Sequence, residues 1–378
     1  MKRIEFGEFR TNNVMRQHVN ECLDNNWITG GKKVQQFEEK FAQTFGYKYA
    51  VMTSSGTTAD MCAVMTLYEK GFNQGDGIIV PALSFIATST AVRAAGFTPI
   101  FIDIKRETLN IDETKIEETI KNSKCKIAAI MVVNTMGKPC KMDTIVEICN
   151  KYNLLLIIDC CESHLCKFKN KLMSEYGNIS TYSGYTAHVT MFGEGGMLCT
   201  NNKKIYNWTK SIRSHGRPVD SLFFSHERFG LNFKNTDLHA SIGLGSLEDL
   251  HTTFHQRDMN LRQIRGRCAF LRDISWLSEE ETEDFNCPHG FSVTVKNPNM
   301  FPILTETLEK YNIHWKRNFG CIPTQHKVFD YLGYKLGDFP EAEYVGNNGL
   351  HIGCHPYLSQ EDIDRIVIAF TEFYNKIK

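Results

Sequence analysis

Four short segments of this 378-residue sequence carry residue types that could do chemistry. Thr53-Ser54-Ser55-Gly56-Thr57-Thr58 follows a short apolar run and precedes a helical pattern. Free N–H groups at a helix N-terminus, beside hydroxyls and a glycine, suit a phosphate; taken alone, the segment reads as well as a plain helix cap. Residues 81–88 place Phe85 just past a second apolar run, where a ring stacks on a planar ligand or simply joins the core. The run Leu154-Leu155-Leu156-Ile157-Ile158 ends on Asp159, a carboxylate that is costly to bury unless something pairs with it. A protonated ring nitrogen is one such partner, and a cap on the next turn is the plainer alternative. The fourth segment brings Ser183, a second hydroxyl for a phosphate, and His188, ahead of Gly195-Gly196. The paired glycines mark a turn or a close backbone approach, and a lone histidine is more often structural than catalytic.

The elements that must position these residues alternate along the chain. Apolar strands are expected at Ala50–Met52, Gly77–Pro81, Pro99–Ile104, Ile127–Val133 and Leu154–Ile158. Amphipathic helices are expected between them at Thr58–Glu69, Phe85–Ala95, Glu113–Asn122 and Met142–Tyr152. Nearly continuous apolar strands separated by helices predict an α/β fold with a mainly parallel sheet covered on both faces. In such sheets ligands gather at the carboxyl ends of the strands, where all four segments fall. After about residue 245 the pattern changes to a long helix, a strand near Phe291–Lys296 and a closing helix from Gln360. The expected division is a large α/β domain over 26–245 and a smaller α+β domain from 1–25 and 246–378.

Composition narrows the function classes. Lysine plus arginine and aspartate plus glutamate both number 43, so no global basic field exists to hold a nucleic acid or an anionic membrane. The first residues show no secretory signal, and the longest apolar runs are far too short to cross a bilayer. Thirteen cysteines are scattered without CxxC or CxC spacing, which predicts buried free thiols, no metal site and a cytoplasmic protein.

Taken together, the four segments resemble the sugar-nucleotide aminotransferase superfamily (DegT/DnrJ/StrS) over nearly the whole chain. The likeness begins at Asn26-Trp27-Ile28-Thr29-Gly30-Gly31, similar to the family's W-[IL]-[ST]-x-G opening, and reaches His355-Pro356 near the end. It implies the fold type I architecture of pyridoxal phosphate enzymes, with Ser55, Gly56 and Thr57 as the phosphate loop and Ser183 as a second phosphate ligand. It also implies Phe85 stacking on the ring and Asp159 pairing with the pyridine nitrogen. Phe229–Lys234 resembles the family's G-x-N-x-R segment, so Asn232 is expected to reach the cofactor phosphate of a neighbouring subunit in a homodimer with shared active sites.

One departure bears on the reaction. Where the family's aminotransferases carry the Schiff-base lysine, five residues after the serine, this chain has His188, and no lysine occurs from Met173 to Asn202. The change resembles the family's nucleotide-sugar 3-dehydratase branch, in which S-x-x-x-x-H is followed by E-G-G, as in Ser183, His188 and Glu194-Gly195-Gly196. Glu162 stands where aminotransferases usually carry glutamine, and Arg317-Asn318-Phe319-Gly320 is more loosely similar to that branch's R-x-x-F-G. With no C-x-C pair for an iron–sulfur cluster, the cluster-free subgroup acting on GDP-4-keto-6-deoxymannose is the nearer model. Val189, where that subgroup often has a second histidine, and Asn134, where aminotransferases commonly have histidine, depart from the pattern.

The resemblance implies pyridoxal or pyridoxamine phosphate held non-covalently and a nucleotide-linked 4-keto-6-deoxy sugar as substrate. His188 would act as acid and base in removal of the C3 hydroxyl, and glutamate would restore the cofactor's amine. A histidine's pKa suits taking and returning a proton near neutrality. His215, Arg217, Lys234 and Arg317 are candidates for the substrate's diphosphate, each reading singly as a solvated surface group. The rival readings are a lysine-free aminotransferase sharing every cofactor residue, and a catalytically silent family member that binds a nucleotide sugar or acts as a scaffold.

Overall fold

Seven strands build the central sheet: β1 (Tyr49–Thr53), β2 (Gly77–Pro81), β3 (Thr98–Ile102), β4 (Ile127–Val133), β5 (Leu155–Asp159), β6 (Ile179–Ser183) and β7 (Gly196–Thr200). In the computed structural model, which describes residues 2–218, 225–277 and 284–378, their order is β1-β7-β6-β5-β4-β2-β3. Neighbours from β6 to β3 run parallel, and β7 alone is antiparallel, to both β1 and β6. The sheet is thus mainly parallel, and β2, β4, β5 and β7 are buried along their whole length, as their unbroken apolar sequences require. One glycine is indispensable to closing it: a Cβ on Gly196 would lie 2.0 Å from the Ser55 carbonyl oxygen.

Helices follow the strands where the sequence periodicity places them. Met142–Tyr152 has its expected bounds and turns out of the helix on Asn153 at φ 52°. The helix expected at Thr58–Glu69 begins at Gly56 and ends at Met65, followed by a separate 3₁₀ turn over Tyr68–Lys70. The helix expected at Phe85–Ala95 starts only at Ala87, because Leu83–Ser84 pairs with Gly320–Cys321 and leaves Phe85 in the connection.

A second, antiparallel sheet contains β8 (Ser275–Leu277), β9 (Gly290–Val295), β10 (Trp315–Arg317) and β11 (Gly349–Gly353) in the order β8-β9-β11-β10. It has its own core, in which Phe291 packs edge-to-face on Phe370 of the closing helix Gln360–Ile377. Ile4 bridges to Ile313 at its margin, whereas helix Asn13–Asp24 lies on helix Asp237–Glu248, with Asn12 Nδ2 donating to the Gly245 carbonyl. The long helix Leu250–Arg267 carries a fully buried arginine, Arg257, whose guanidinium donates to the carbonyls of Pro288 and His289 at 2.9 Å each. That ties the backbone entering β9 to a helix whose Leu250 and Phe254 pack in the first core and whose Leu261 and Ile264 pack in the second. All thirteen cysteines are free thiols, and among the described residues no helix is long and apolar enough to cross a membrane.

Candidate active site

The carboxyl ends of β4, β5 and β6 open into a cleft of about 520 Å³ whose opposite wall comes from the second sheet. Nine of the residues singled out from the sequence line it. Ser55, Gly56 and Thr57 stand at one part of the wall and Asp159, Glu162 and Ser183 at another, with Phe85, His188 and Arg317 around them.

Ser55 is the N-cap of helix Gly56–Met65, its Oγ accepting from the Thr58 N–H at 3.1 Å. The cap leaves the Gly56 and Thr57 N–H groups unused by the helix, the orphan donors of any helix start. A Cβ on Gly56 would meet the Ser183 Cβ at 2.9 Å and the Cys161 Sγ at 3.0 Å. This glycine therefore lets the helix start close on β6, so that two N–H groups and the Ser55 and Ser183 hydroxyls converge. That donor set fits a phosphate. Phe85 is 61 % exposed and edge-on to Phe319 across the cleft, so its ring belongs to the site rather than to the core.

Asp159 is buried at the end of β5. Its Oδ2 accepts from Thr88 Oγ1 at 2.9 Å and its Oδ1 from the Cys161 N–H at 3.0 Å. Beside it Asp60, also buried, accepts from Thr181 Oγ1 at 2.5 Å. Burial pushes both carboxyls above their ordinary range, and the neighbouring Asp159 charge pushes Asp60 further. A cationic ring nitrogen at Asp159 would relieve this, so the donor set fits the pyridinium of pyridoxal phosphate as well as its phosphate.

The third part of the site is a group of imidazoles. The His188 ring lies between His164 and His289, with centroids 5.8 and 5.5 Å away, and its Nδ1 is buried without a hydrogen-bond partner. Burial foremost, then the charges of His164, Arg257 and Lys316, hold His188 well below the usual histidine range. It is therefore held as a neutral imidazole, a weaker base than a free one and a stronger acid once protonated, so its pKa does not lie near neutrality as the sequence reading expected. Glu162 Oε2 accepts from the Met136 N–H at 2.8 Å while Oε1 lies 3.4 Å from His289 Nε2. Burial raises the Glu162 carboxyl to about 7.

The other sequence candidates lie off this cleft in the single chain. His215, at φ 62°, gives its N–H to the Leu231 carbonyl in the turn after helix Lys203–Ile212. The Arg217 carbonyl receives the Ser211 hydroxyl, and Asn232 is exposed and bridged to Ser214. Lys234 borders a separate concavity of about 830 Å³ with Arg213, whose guanidinium is taken up by Glu38 and the Met52 carbonyl. The Arg317 guanidinium turns away to the carbonyls of Gly346 and Asn347. The two departures are structural: Val189 is core, and Asn134 Oδ1 accepts from the Cys140 N–H.

His289, Lys316 and His351 are cleft residues that sequence reading missed. Strand alternation at Trp315–Arg317 offered a signal for Lys316, since odd positions packing inward put 316 on the other face. Nothing local marks His289.

The chain matches the model of the DegT/DnrJ/EryC1/StrS aminotransferase family over residues 10–371. It is 34 % identical over 367 residues to a GDP-perosamine synthase of Escherichia coli O157:H7, covering 95 % of each chain. It is 30 % identical over 371 residues to a GDP-4-keto-6-deoxy-D-mannose 3-dehydratase of Escherichia coli O55:H7, covering 92 % of this chain and 94 % of the relative. Among solved structures it is similar, with TM-score 0.86 and 27 % identity over 97 % of this chain and 100 % of the other, to a GDP-4-keto-6-deoxymannose-3-dehydratase with a trapped PLP-glutamate geminal diamine.

Proposed function

The chain belongs to the DegT/DnrJ/EryC1/StrS aminotransferase family of pyridoxal-phosphate enzymes, which includes aminotransferases and dehydratases, and we propose that it is a 3-dehydratase. Its reaction removes the C3 hydroxyl of a nucleotide-linked 4-keto-6-deoxy sugar, GDP-4-keto-6-deoxymannose being the first candidate. The observation that carries this reading is His188, a neutral imidazole lining the cofactor cleft at the place where the family's aminotransferases have lysine.

The cofactor, bound non-covalently and cycling between pyridoxal and pyridoxamine phosphate, supplies an electron sink conjugated to the reacting carbons. The chain's residues do the rest. Ser55, Thr57, Ser183 and the Gly56 N–H hold the phosphate, completed by Asn232 of a second copy in a homodimer. Phe85 covers the ring, Asp159 keeps its nitrogen protonated, and Glu162 borders it. His188 takes up a proton through its imidazole nitrogen and returns it to the departing hydroxyl, a role worth roughly 10²–10⁴ in rate. Glutamate is the amino donor that readies the site for the next turnover. This reading divides the chain into a cofactor-binding unit over 26–245 and a smaller unit from 1–25 and 246–378, and places the enzyme in the cytoplasm.

A lysine-free aminotransferase is the second reading, favoured by the 34 % identity to a GDP-perosamine synthase. Product mass separates the two. The protein is incubated with pyridoxal phosphate, glutamate and GDP-4-keto-6-deoxymannose beside a His188→Asn control. Loss of the C3 oxygen with wild type alone supports the dehydratase. A product with an amine in place of the C4 ketone makes the protein an aminotransferase.

A further inference from the structure

Lys316 and Arg317 are the only lysine and arginine lining the cleft among the described residues, and they face opposite ways. Strand β10 alternates: Trp315 and Arg317 both contact the Phe301 ring on one face. Lys316 stands on the other, in register with His351. Its Nζ lies 4.5 Å from the Phe6 ring centroid and 5.5 Å from that of Tyr185, both cleft residues. No carboxylate of the described residues lies within ion-pair distance of it. Burial is the main reason His188, His289 and His351 are held low, and the Lys316 charge adds to it at each. The ammonium therefore makes no direct ion pair among the described residues; it stands among the histidine rings it biases, and its charge also acts on the Glu162 carboxyl of the same cleft.

Such a charge calls for an anion, and the covalent structure of the two substrates says which. The diphosphate of a nucleotide sugar hangs from C1, on the far side of the pyranose ring from the C4 that must meet the cofactor. An amino acid carries its α-carboxylate two bonds from the nitrogen it donates. Resting on the donor named above, we propose that Lys316 is the anchor for a carboxylate of glutamate, setting the donor's nitrogen beside His188.

The test reads binding as well as turnover. Glutarate, a dicarboxylate with no amine to transfer, is titrated calorimetrically into pyridoxal-phosphate-loaded wild type, Lys316→Met, Lys316→Arg and Arg317→Met. The expected result is a roughly 10-fold or greater loss of glutarate affinity in Lys316→Met, the scale of a lost charge-assisted contact. Lys316→Arg keeps most of the affinity. In parallel, the glutamate KM of the cofactor half-reaction, followed by absorbance, rises more than kcat falls. Unchanged glutarate binding in Lys316→Met, or a loss confined to Arg317→Met, overturns the proposal. So does a borohydride-stable adduct of the cofactor on the Lys316 peptide, which would make the lysine an attachment point instead. Glutarate binding and the glutamate half-reaction precede the sugar, so they are readable whether the sugar step proves to be dehydration or amine transfer.

Discussion

Glu162 Oε1 lies 3.4 Å from Nε2 of His289, a contact that joins the loop after β5 to the start of β9 across the cleft. One partner comes from each sheet, so the distance depends on how the two sheets are held together. The Arg257 guanidinium does part of that holding through the carbonyls of Pro288 and His289.

The Glu162 carboxyl makes stability pH-dependent. Its pKa is raised from 4.5 to about 7, chiefly by burial. The folded state therefore holds the proton more tightly than the unfolded chain, and this favourable contribution is complete below about 4.5 and lost as pH rises through about 7. Chemical denaturation of cofactor-free protein between about pH 4 and 8 (roughly the range that brackets the shift) should show wild type losing up to about 3 kcal/mol relative to Glu162→Gln. Parallel pH profiles for the two proteins would refute it.

His188 is held well below its ordinary value by burial, so it stays neutral through the range where a free imidazole titrates. The acid limb of the single-turnover rate should lie below the usual histidine pKa of about 6.5. His188→Asn should lose roughly 10²-fold or more in rate while still binding cofactor, read by the absorbance of protein-bound pyridoxal phosphate. Loss of cofactor binding in that variant would assign the residue a structural role.

Asp159→Asn should weaken cofactor binding by roughly 10- to 100-fold, the scale of a hydrogen bond to a charged group. Fluorescence titration with pyridoxal phosphate measures it. The same substitution removes the like charge that raises Asp60, so the variant's thermal stability should not fall with its affinity.

Arg257→Met leaves the Pro288 and His289 carbonyls without their donors in a buried setting. A loss of about 2–4 kcal/mol in unfolding free energy is expected, with the pH-dependence of the Glu162 contact altered as His289 shifts. A variant as stable as wild type would show that the helix Leu250–Arg267 does not set the second wall of the cleft.

Gly56→Ala sets a methyl 2.9 Å from the Ser183 Cβ. The helix start must then move away from β6, and phosphate affinity should fall while the fold survives. Inorganic phosphate competition against pyridoxal phosphate binding reports the change.

The sequence by itself determined five of the central sheet's seven strands and the loops that line its side of the cleft, whereas β6 (Ile179–Ser183) and the antiparallel β7 (Gly196–Thr200) were not among the expected strands. Unbroken apolar runs such as Ile127–Val133 are legible because parallel strands covered on both faces need no alternation, and they end where the chain turns polar. Ser55 and Asp159 are equally legible, since each sits within a few positions of an expected strand end, while Ser183 and His188 were legible through the family resemblance; all four line the cleft. The second wall was not legible. His289, Lys316 and His351 come from three strands of an antiparallel sheet whose members lie far apart in the chain, and only the register pairing Lys316 with His351 aims them at the cleft. The sequence reading also named Arg317 and not its neighbour Lys316. The one-residue alternation of β10 separates the two, because in a strand adjacent side chains point to opposite faces, and here Arg317 takes the face that packs on Phe301.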